Sequence, residues 1–186
     1  MPHLPLPEHL PGITGLLEYR QDSAEPIRAL TQLLLRGPSS LTTAERELIA
    51  TLVSSQNNCR FCTAAHKSAA DLLLGENETC SSVIENYENA PLSKKIKSLL
   101  AIASAVQNSG KDVNASMIKS AKDNGATDLE IHDTVLIAAL FCLYNKYVDG
   151  TNSVTPTDSA FYHQLGERIT KHGYNRLPEG YDHLKK

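Results

Sequence analysis

The sequence contains no tryptophan, and aromatic residues make up only 5% of it. A core must therefore come chiefly from leucine, isoleucine, valine and alanine, a composition that favours packed helices over a β-sandwich. Charge of one sign is equally scarce. The chain has 18 basic and 21 acidic residues, for a formal net charge of −3, which gives no electrostatic footprint for nucleic acid or an anionic membrane surface. No apolar run approaches the roughly 18–20 residues that span a bilayer, and the most apolar stretch, 134–143, is too short. The opening residues, 1–11, lack the basic cluster and apolar run of a secretory leader. The expected location is accordingly the cytoplasm. In that reducing setting the four cysteines, Cys59, Cys62, Cys80 and Cys142, are poor material for a structural disulfide framework. Internal repeats, low-complexity tracts and long linkers are absent, and 186 residues fit one domain.

What is present is helical punctuation. Asp22 with Glu25, Thr42 with Glu45 and Thr127 with Glu130 have the spacing of a capping box. Gly75, Gly110, Gly125 and Gly150 follow apolar-periodic segments, where a left-handed residue closing a helix is expected. Leu92, Ile96, Leu99, Leu100, Ala103 and Val106 trace the stripe of a helix buried on one side. Helices are predicted at 11–19, 24–35, 43–55, 59 or 60 to 74, 93–107, 114–124, 128–149 and 158–171. Residues 134–144 are apolar nearly all round, which predicts a central helix or one buried at a subunit contact. No segment alternates with the period of a strand. The fold class is all-α: an N-terminal arm with a short helix at 1–23, a single helical-bundle domain at 24–172, and an irregular tail at 173–186 that either lies over a neighbour or moves.

The chemistry concentrates in Asn57-Asn58-Cys59-Arg60-Phe61-Cys62-Thr63-Ala64-Ala65-His66. With a helix starting at Cys59, the two cysteines lie one turn apart at its N-terminus. Unpaired backbone N–H groups and the helix dipole favour a thiolate there, and Arg60 adds positive charge. Two helical cysteines at this separation can form a reversible disulfide. His66 follows Cys62 by one helical turn and shares its face, so its imidazole can take and return the thiol proton. A tight turn at 55–58 would fold the preceding helix back along this one and bring Glu47 towards the pair. Glu45 then serves as the cap and Glu47 as the functional carboxylate.

Other readings compete. Cys59, Cys62 and His66 with a carboxylate can ligate zinc, although no second Cys-x-x-Cys completes a structural site. Haem attachment fails because Thr63, not histidine, follows Cys62. Cys142, in an apolar run, is expected as a buried hydrophobe, and Cys80, beside Ser81 and Ser82, as a surface or partly buried free thiol. His132, His163 and the histidines of the terminal segments are expected to be solvated or structural. Asn145, Lys146 and Asp149 form the polar end of an apolar helix, as a surface cap or as the lining of a substrate pocket.

These residues resemble the alkylhydroperoxidase D-like branch of the carboxymuconolactone decarboxylase superfamily, whose pattern is a glutamate, eleven residues, then Cys-x-x-Cys-x-x-x-His. Glu47, Cys59, Cys62 and His66 reproduce it with the spacing intact, and residues 125–131 are similar to the turn that opens a later family helix. The variant around Asn57 to His66 is most similar to an uncharacterised peroxidase-related subgroup. The resemblance covers about residues 24–149. It implies an oligomeric helical bundle, trimeric or hexameric, that reduces peroxides or disulfides. Cys62 would attack, Cys59 would resolve, and His66 with Glu47 would pass protons, partly through water. A dithiol reductant, a lipoyl group or a thioredoxin-like protein, would reopen the disulfide. No cofactor and no metal is implied. Some members carry a histidine between the cysteines, where this chain has Phe61, so the relay would lack that member. Two alternatives stand beside this redox function: decarboxylation of a carboxylated lactone, which in this superfamily does not rely on a cysteine pair, and a non-catalytic helical oligomer that senses redox state or binds metal.

Overall fold

A computed structural model describes residues 1–178, 180 and 181. Among these residues the chain forms nine α-helices and no strand, in agreement with the all-α expectation. They are α1 (Ile13–Tyr19), α2 (Gln21–Arg36), α3 (Thr43–Gln56), α4 (Arg60–Leu74), α5 (Glu78–Asn86), α6 (Lys94–Asn108), α7 (Ala115–Asp123), α8 (Asp128–Gly150) and α9 (Ser159–His172). A 3-10 turn at Gly110–Asp112 links α6 to α7.

Two of the three expected capping boxes form. The Thr42 hydroxyl accepts from the Glu45 amide at 3.2 Å while Glu45 Oε2 accepts from the Thr42 amide at 2.7 Å. Thr127 and Glu130 do the same at 3.1 and 2.8 Å. The Asp22–Glu25 box does not form. Helix α2 starts earlier, at Gln21, almost continuous with α1, and Asp22 sits inside its first turn, paired with Arg20 at 3.0 Å. Gly75 and Gly125 adopt the left-handed conformation (φ 73° and 90°), whereas Gly110 opens the 3-10 turn and Gly150 is the last residue of α8. Helix α5 was not expected, because it buries only Cys80 and Val83 and has no side-chain cap.

The main core lies where α3, α6 and α8 meet. Leu48, Ile49, Leu99, Leu100, Ile137 and Phe141 are all but fully buried there, each contributing about 1.5–3 kcal/mol by leaving water. Helix α8 is central, as its apolar circumference predicts, though it leaves Leu129 and Leu143 62% and 46% exposed on its other side. A second cluster joins α4 to α9 and the N-terminal arm through Leu16, Phe61, Ala65, Val148 and Tyr162. Two glycines permit that junction. A Cβ on Gly166 would lie 2.4 Å from Ser68 Oγ and 3.0 Å from its backbone carbon, so α9 approaches α4 only without one. Gly12, at φ 59°, lets the arm lie against the Phe61 ring.

The described tail folds back over the bundle. The Tyr174 amide donates to Gln32 Oε1 at 2.8 Å, and Arg176 pairs with Glu18 at 2.9 Å. The remainder of the expected irregular tail, Glu179 and residues 182–186, lies outside the described residues. Among the described residues no helix is long and apolar enough to cross a membrane.

Candidate active site

Helices α3 and α4 form an antiparallel hairpin whose register can be read from two pairs. The Cys59 amide donates to the Ser54 carbonyl at 3.0 Å, and His66 Nδ1 meets Glu47 Oε2 at 2.7 Å. Each step forward along α4 is matched by a step back along α3. The turn is closed by the Asn58 amide on the Ser55 carbonyl, with Asn58 itself left-handed at φ 58°, a conformation asparagine tolerates better than most residues.

Cys59 is the N-cap of α4 and Cys62 lies in its first turn. Both sulfurs are free thiols and both residues are buried, at 0% and 3% exposure. The expected preference for a thiolate is not met at Cys62. Contact with the Cys59 sulfur pushes its thiol well above the ordinary value and burial pushes it the same way, while the Asn145 amide draws it down. Arg60, expected to help, is exposed at the surface. Proton removal from Cys62 therefore requires a base.

His66 supplies one, and its orientation is fixed by a network the sequence only half revealed. Glu47 is fully buried. Its Oε1 accepts from Arg36 Nη2 at 2.6 Å and from the Tyr174 hydroxyl at 2.5 Å, while Oε2 faces His66 Nδ1. Burial would raise the Glu47 carboxyl, but the His66 ring, the Arg36 guanidinium and the Tyr174 hydroxyl together hold it below the usual range. A carboxylate can only accept, so Nδ1 of His66 carries the proton and Nε2 of the neutral ring is left as the basic nitrogen. Phe141, edge-on at 4.5 Å, and Tyr174, stacked at 6.0 Å, pack against the ring. Glu45 remains in its cap, as expected, and Glu47 is the carboxylate that meets His66.

Arg36 and Tyr174 were not anticipated. Arg36 reads as an ordinary basic residue at a helix end. It reaches Glu47 because Arg46 of α3 donates to the Leu34 and Gly37 carbonyls, at 3.0 and 2.9 Å, and ties the end of α2 to α3. Tyr174 belongs to the tail, and Gly173 before it is the only signal of a sharp turn there.

Cys62 and His66 both line a cavity of about 60 Å³, together with Phe61, Ala65 and Tyr144. That volume has room for about four waters or a small polar molecule. No hydrogen bond joins His66 directly to Cys62; the cavity lies between them. Cys59 does not line it. Phe61 packs on Phe161 and Tyr162, with ring centroids 6.2 and 5.8 Å away, and serves as a wall. Among the described residues no three His, Cys, Asp or Glu side chains converge as a metal site.

The remaining candidates separate. Cys80 is fully buried rather than at the surface, and burial pushes its thiol up to about 12. Cys142 is only partly buried and accepts from Asn57 Nδ2 at 3.5 Å. Asn145 is no surface cap: it is 1% exposed, takes a hydrogen bond from Asn57 at 2.8 Å and donates to Ser54 at 3.1 Å. Lys146 and Asp149 are exposed, as are His132 and His163.

The sequence matches the profile of the carboxymuconolactone decarboxylase family over residues 21–73 and 77–153. No protein of curated function matches it. Among solved structures, it is similar to an uncharacterised peroxidase-related protein from Silicibacter sp. TM1040, with 25% identity, a TM-score of 0.75, and coverage of 82% of this chain and 78% of that one. It has the same fold as an uncharacterised peroxidase-related protein from Ralstonia eutropha JMP134 described as an alkylhydroperoxidase AhpD core. That pair shares 24% identity and a TM-score of 0.75, over 84% of this chain and 80% of the other.

Proposed function

Since the chain belongs to the carboxymuconolactone decarboxylase family, and Cys62 of its cysteine pair lines a small cavity with an oriented histidine, we propose that it is a thiol peroxidase or disulfide reductase. Cys62 is the attacking residue and Cys59 the resolving one. The observation that carries this reading is that Cys62, not Cys59, opens onto the cavity it shares with His66.

His66 Nε2, left free to accept by the Nδ1–Glu47 bond, draws the Cys62 proton across the cavity through water. The Cys62 thiolate attacks the distal peroxide oxygen, the O–O bond breaks, and the departing alkoxide takes the proton back from His66. Cys62 is now a sulfenic acid, oxidised by two electrons as the peroxide is reduced to an alcohol. The Cys59 sulfur, already against Cys62, displaces hydroxide, which leaves as water, and a disulfide forms. An external dithiol, a lipoyl group or a thioredoxin-like protein, then returns two electrons. Phe61 fills the place where some relatives carry another histidine, so the proton path rests on His66 alone. Assembly into a homo-oligomer through the exposed apolar side of α8, at Leu129 and Leu143, belongs to the same proposal.

Thiol titration of the reduced protein before and after peroxide tests the reading. Two thiols per chain should disappear, and the loss should vanish in Cys62→Ser. Unchanged thiols in the unaltered protein, or the same loss in Cys62→Ser, would overturn it.

A further inference from the structure

Two guanidinium groups stand in the wall of the cavity that holds Cys62: Arg28 from α2 and Arg168 from α9. Arg28 is only 6% exposed. Its Nη2 pairs with Glu18 at 2.9 Å and its Nη1 donates to the Tyr181 hydroxyl at 3.2 Å, yet its Nε is buried with no acceptor among the described residues. Arg168 lies over the Tyr181 ring at 4.9 Å and sends one long bond, 3.4 Å, to the Asn175 carbonyl. Its Nε is likewise buried with no acceptor. Glu18 is shared, since it also takes Arg176 at 2.9 Å. The cavity wall is otherwise largely apolar, with Ile13, Leu17, Leu165 and Ile169.

Leaving a buried donor without an acceptor costs about 1–3 kcal/mol, and each of these arginines bears that cost in a pocket beside the reactive sulfur. Packing alone gives no reason for it, because an apolar side chain of similar volume would fill the same space without the orphaned donor. Arg28 is matched by Glu18 but Arg168 by no carboxylate among the described residues, so a bound anion would balance the charge in the cavity wall. The planar fork of a guanidinium matches a carboxylate, and a cavity of about 60 Å³ admits a carboxylate more readily than a bulkier anion. A second cavity, of about 480 Å³, shares Leu17 and Arg28 with the first, so Arg28 stands in the wall common to both. A ligand larger than the inner cavity can extend along that side.

We propose that this cavity selects a hydroperoxide bearing a carboxylate, with the anion held between Arg28 and Arg168 and the peroxide group presented to Cys62. The proposal rests on the peroxidase reading of Cys62 for its chemistry, which is unchanged: thiolate attacks the distal oxygen, the O–O bond breaks, and the product is the corresponding hydroxy acid. What the arginines add is selection. A neutral alkyl hydroperoxide leaves the charge of Arg168 unmatched, whereas an acid matches it.

Three probes isolate the charge: β-hydroperoxyisovalerate, its methyl ester, and tert-butyl hydroperoxide. Loss of the Cys59 and Cys62 thiols is followed after rapid mixing of each with reduced protein. The acid should react about tenfold faster than the ester or the neutral peroxide, the size expected for one charge-assisted hydrogen bond. In Arg28→Met, and in Arg168→Met, whose partly exposed site makes misfolding the smaller risk, the ratio of acid to ester should fall towards one. A parallel arm uses β-hydroxyisovalerate, which cannot oxidise sulfur, and measures its binding to the Cys59→Ser/Cys62→Ser protein by calorimetry, with and without Arg168→Met. Equal rates for acid and ester in the unaltered protein overturn the anion site and leave the peroxidase reading standing. If no peroxide removes the thiols but β-hydroxyisovalerate binds in a manner that depends on Arg168, the anion site stands and the peroxidase reading falls. If no peroxide reacts and the hydroxy acid does not bind, both are rejected.

Discussion

At the scale of single residues, the site is organised around a buried carboxylate rather than around the sulfurs. Glu47 receives Arg36, Tyr174 and His66, which together hold its carboxyl below the usual range although burial opposes the charge. Tyr174→Phe removes one hydrogen bond to that charge and should cost about 1.5–3 kcal/mol of stability, read from denaturant unfolding. The same change loosens the ring that His66 stacks on. Peroxide-driven loss of the two thiols should slow by about tenfold, comparable to weakening a group that orients a reacting histidine, while the final count of thiols lost stays the same. An unchanged rate would show that the phenol only packs. Four of the network's residues were readable in advance. Cys59, Cys62 and His66 are set by local helical spacing, and Glu47 by a hairpin short enough to fix its register. Arg36 and Tyr174 were not readable, because nothing near them in the chain says which carboxylate they meet. The two readings of Asn145 stayed open for a related reason: a polar residue at the end of an apolar helix looks like surface until its partners, Asn57 and Ser54 on the α3–α4 hairpin, are known.

At the scale of elements, the contacts that hold helices in place are few and can be tested singly. Glu130 closes the capping box of α8, accepts from Ser40 at 2.9 Å and pairs with Lys95 at 2.8 Å. Burial opposes its charge, but these donors hold its carboxyl down at about 2. A carboxyl lowered in the folded state contributes stability above its unfolded value, and that contribution fades as pH falls through the folded one. Glu130→Gln should therefore destabilise the protein by about 1–3 kcal/mol at neutral pH, with the gap to the unaltered protein narrowing as pH falls from about 4.5 towards 2. A gap that is constant with pH would remove the ionic part of this explanation. Gly166→Ala places a Cβ against Ser68 and should cost about 1–3 kcal/mol through overpacking. Because Leu165, Arg168 and Ile169 of α9 also line the cavity, the same change should slow oxidation of the cysteine pair. Ser68→Gly should restore part of the stability, since it removes the Oγ and Cβ that the new methyl meets. Helices with strong punctuation were legible: α3 and α8 announce themselves with capping boxes, and α6 with its apolar stripe. Helix α5 was not, since two buried residues among serines and glutamates leave no periodic signal. The early start of α2 arises because α1 runs almost directly into it, which a cap pattern read at Asp22 cannot reveal.

At the scale of the whole molecule, α3, α6 and α8 form the packed centre, while α4, α9, the arm and the tail enclose the reactive cavity on one side. Fold class and the central place of α8 followed from composition and periodicity. The enclosure did not, because it is made by segments more than a hundred residues apart, with Tyr174 set against Glu47 and the Gly12 backbone against Ser153 and Val154. On the proposed function, that enclosure decides which sulfur a small oxidant meets, because Cys62 lines the cavity and Cys59 does not. The central claim is tested most directly by Cys59→Ser protein, treated with a single equivalent of peroxide and trapped with a sulfenic-acid reagent, with the adduct located by peptide mass spectrometry. The account predicts the adduct on Cys62, and its loss when His66 is also replaced by alanine. An untagged Cys62 in Cys59→Ser protein, alongside a tagged Cys59 in Cys62→Ser protein, would contradict it.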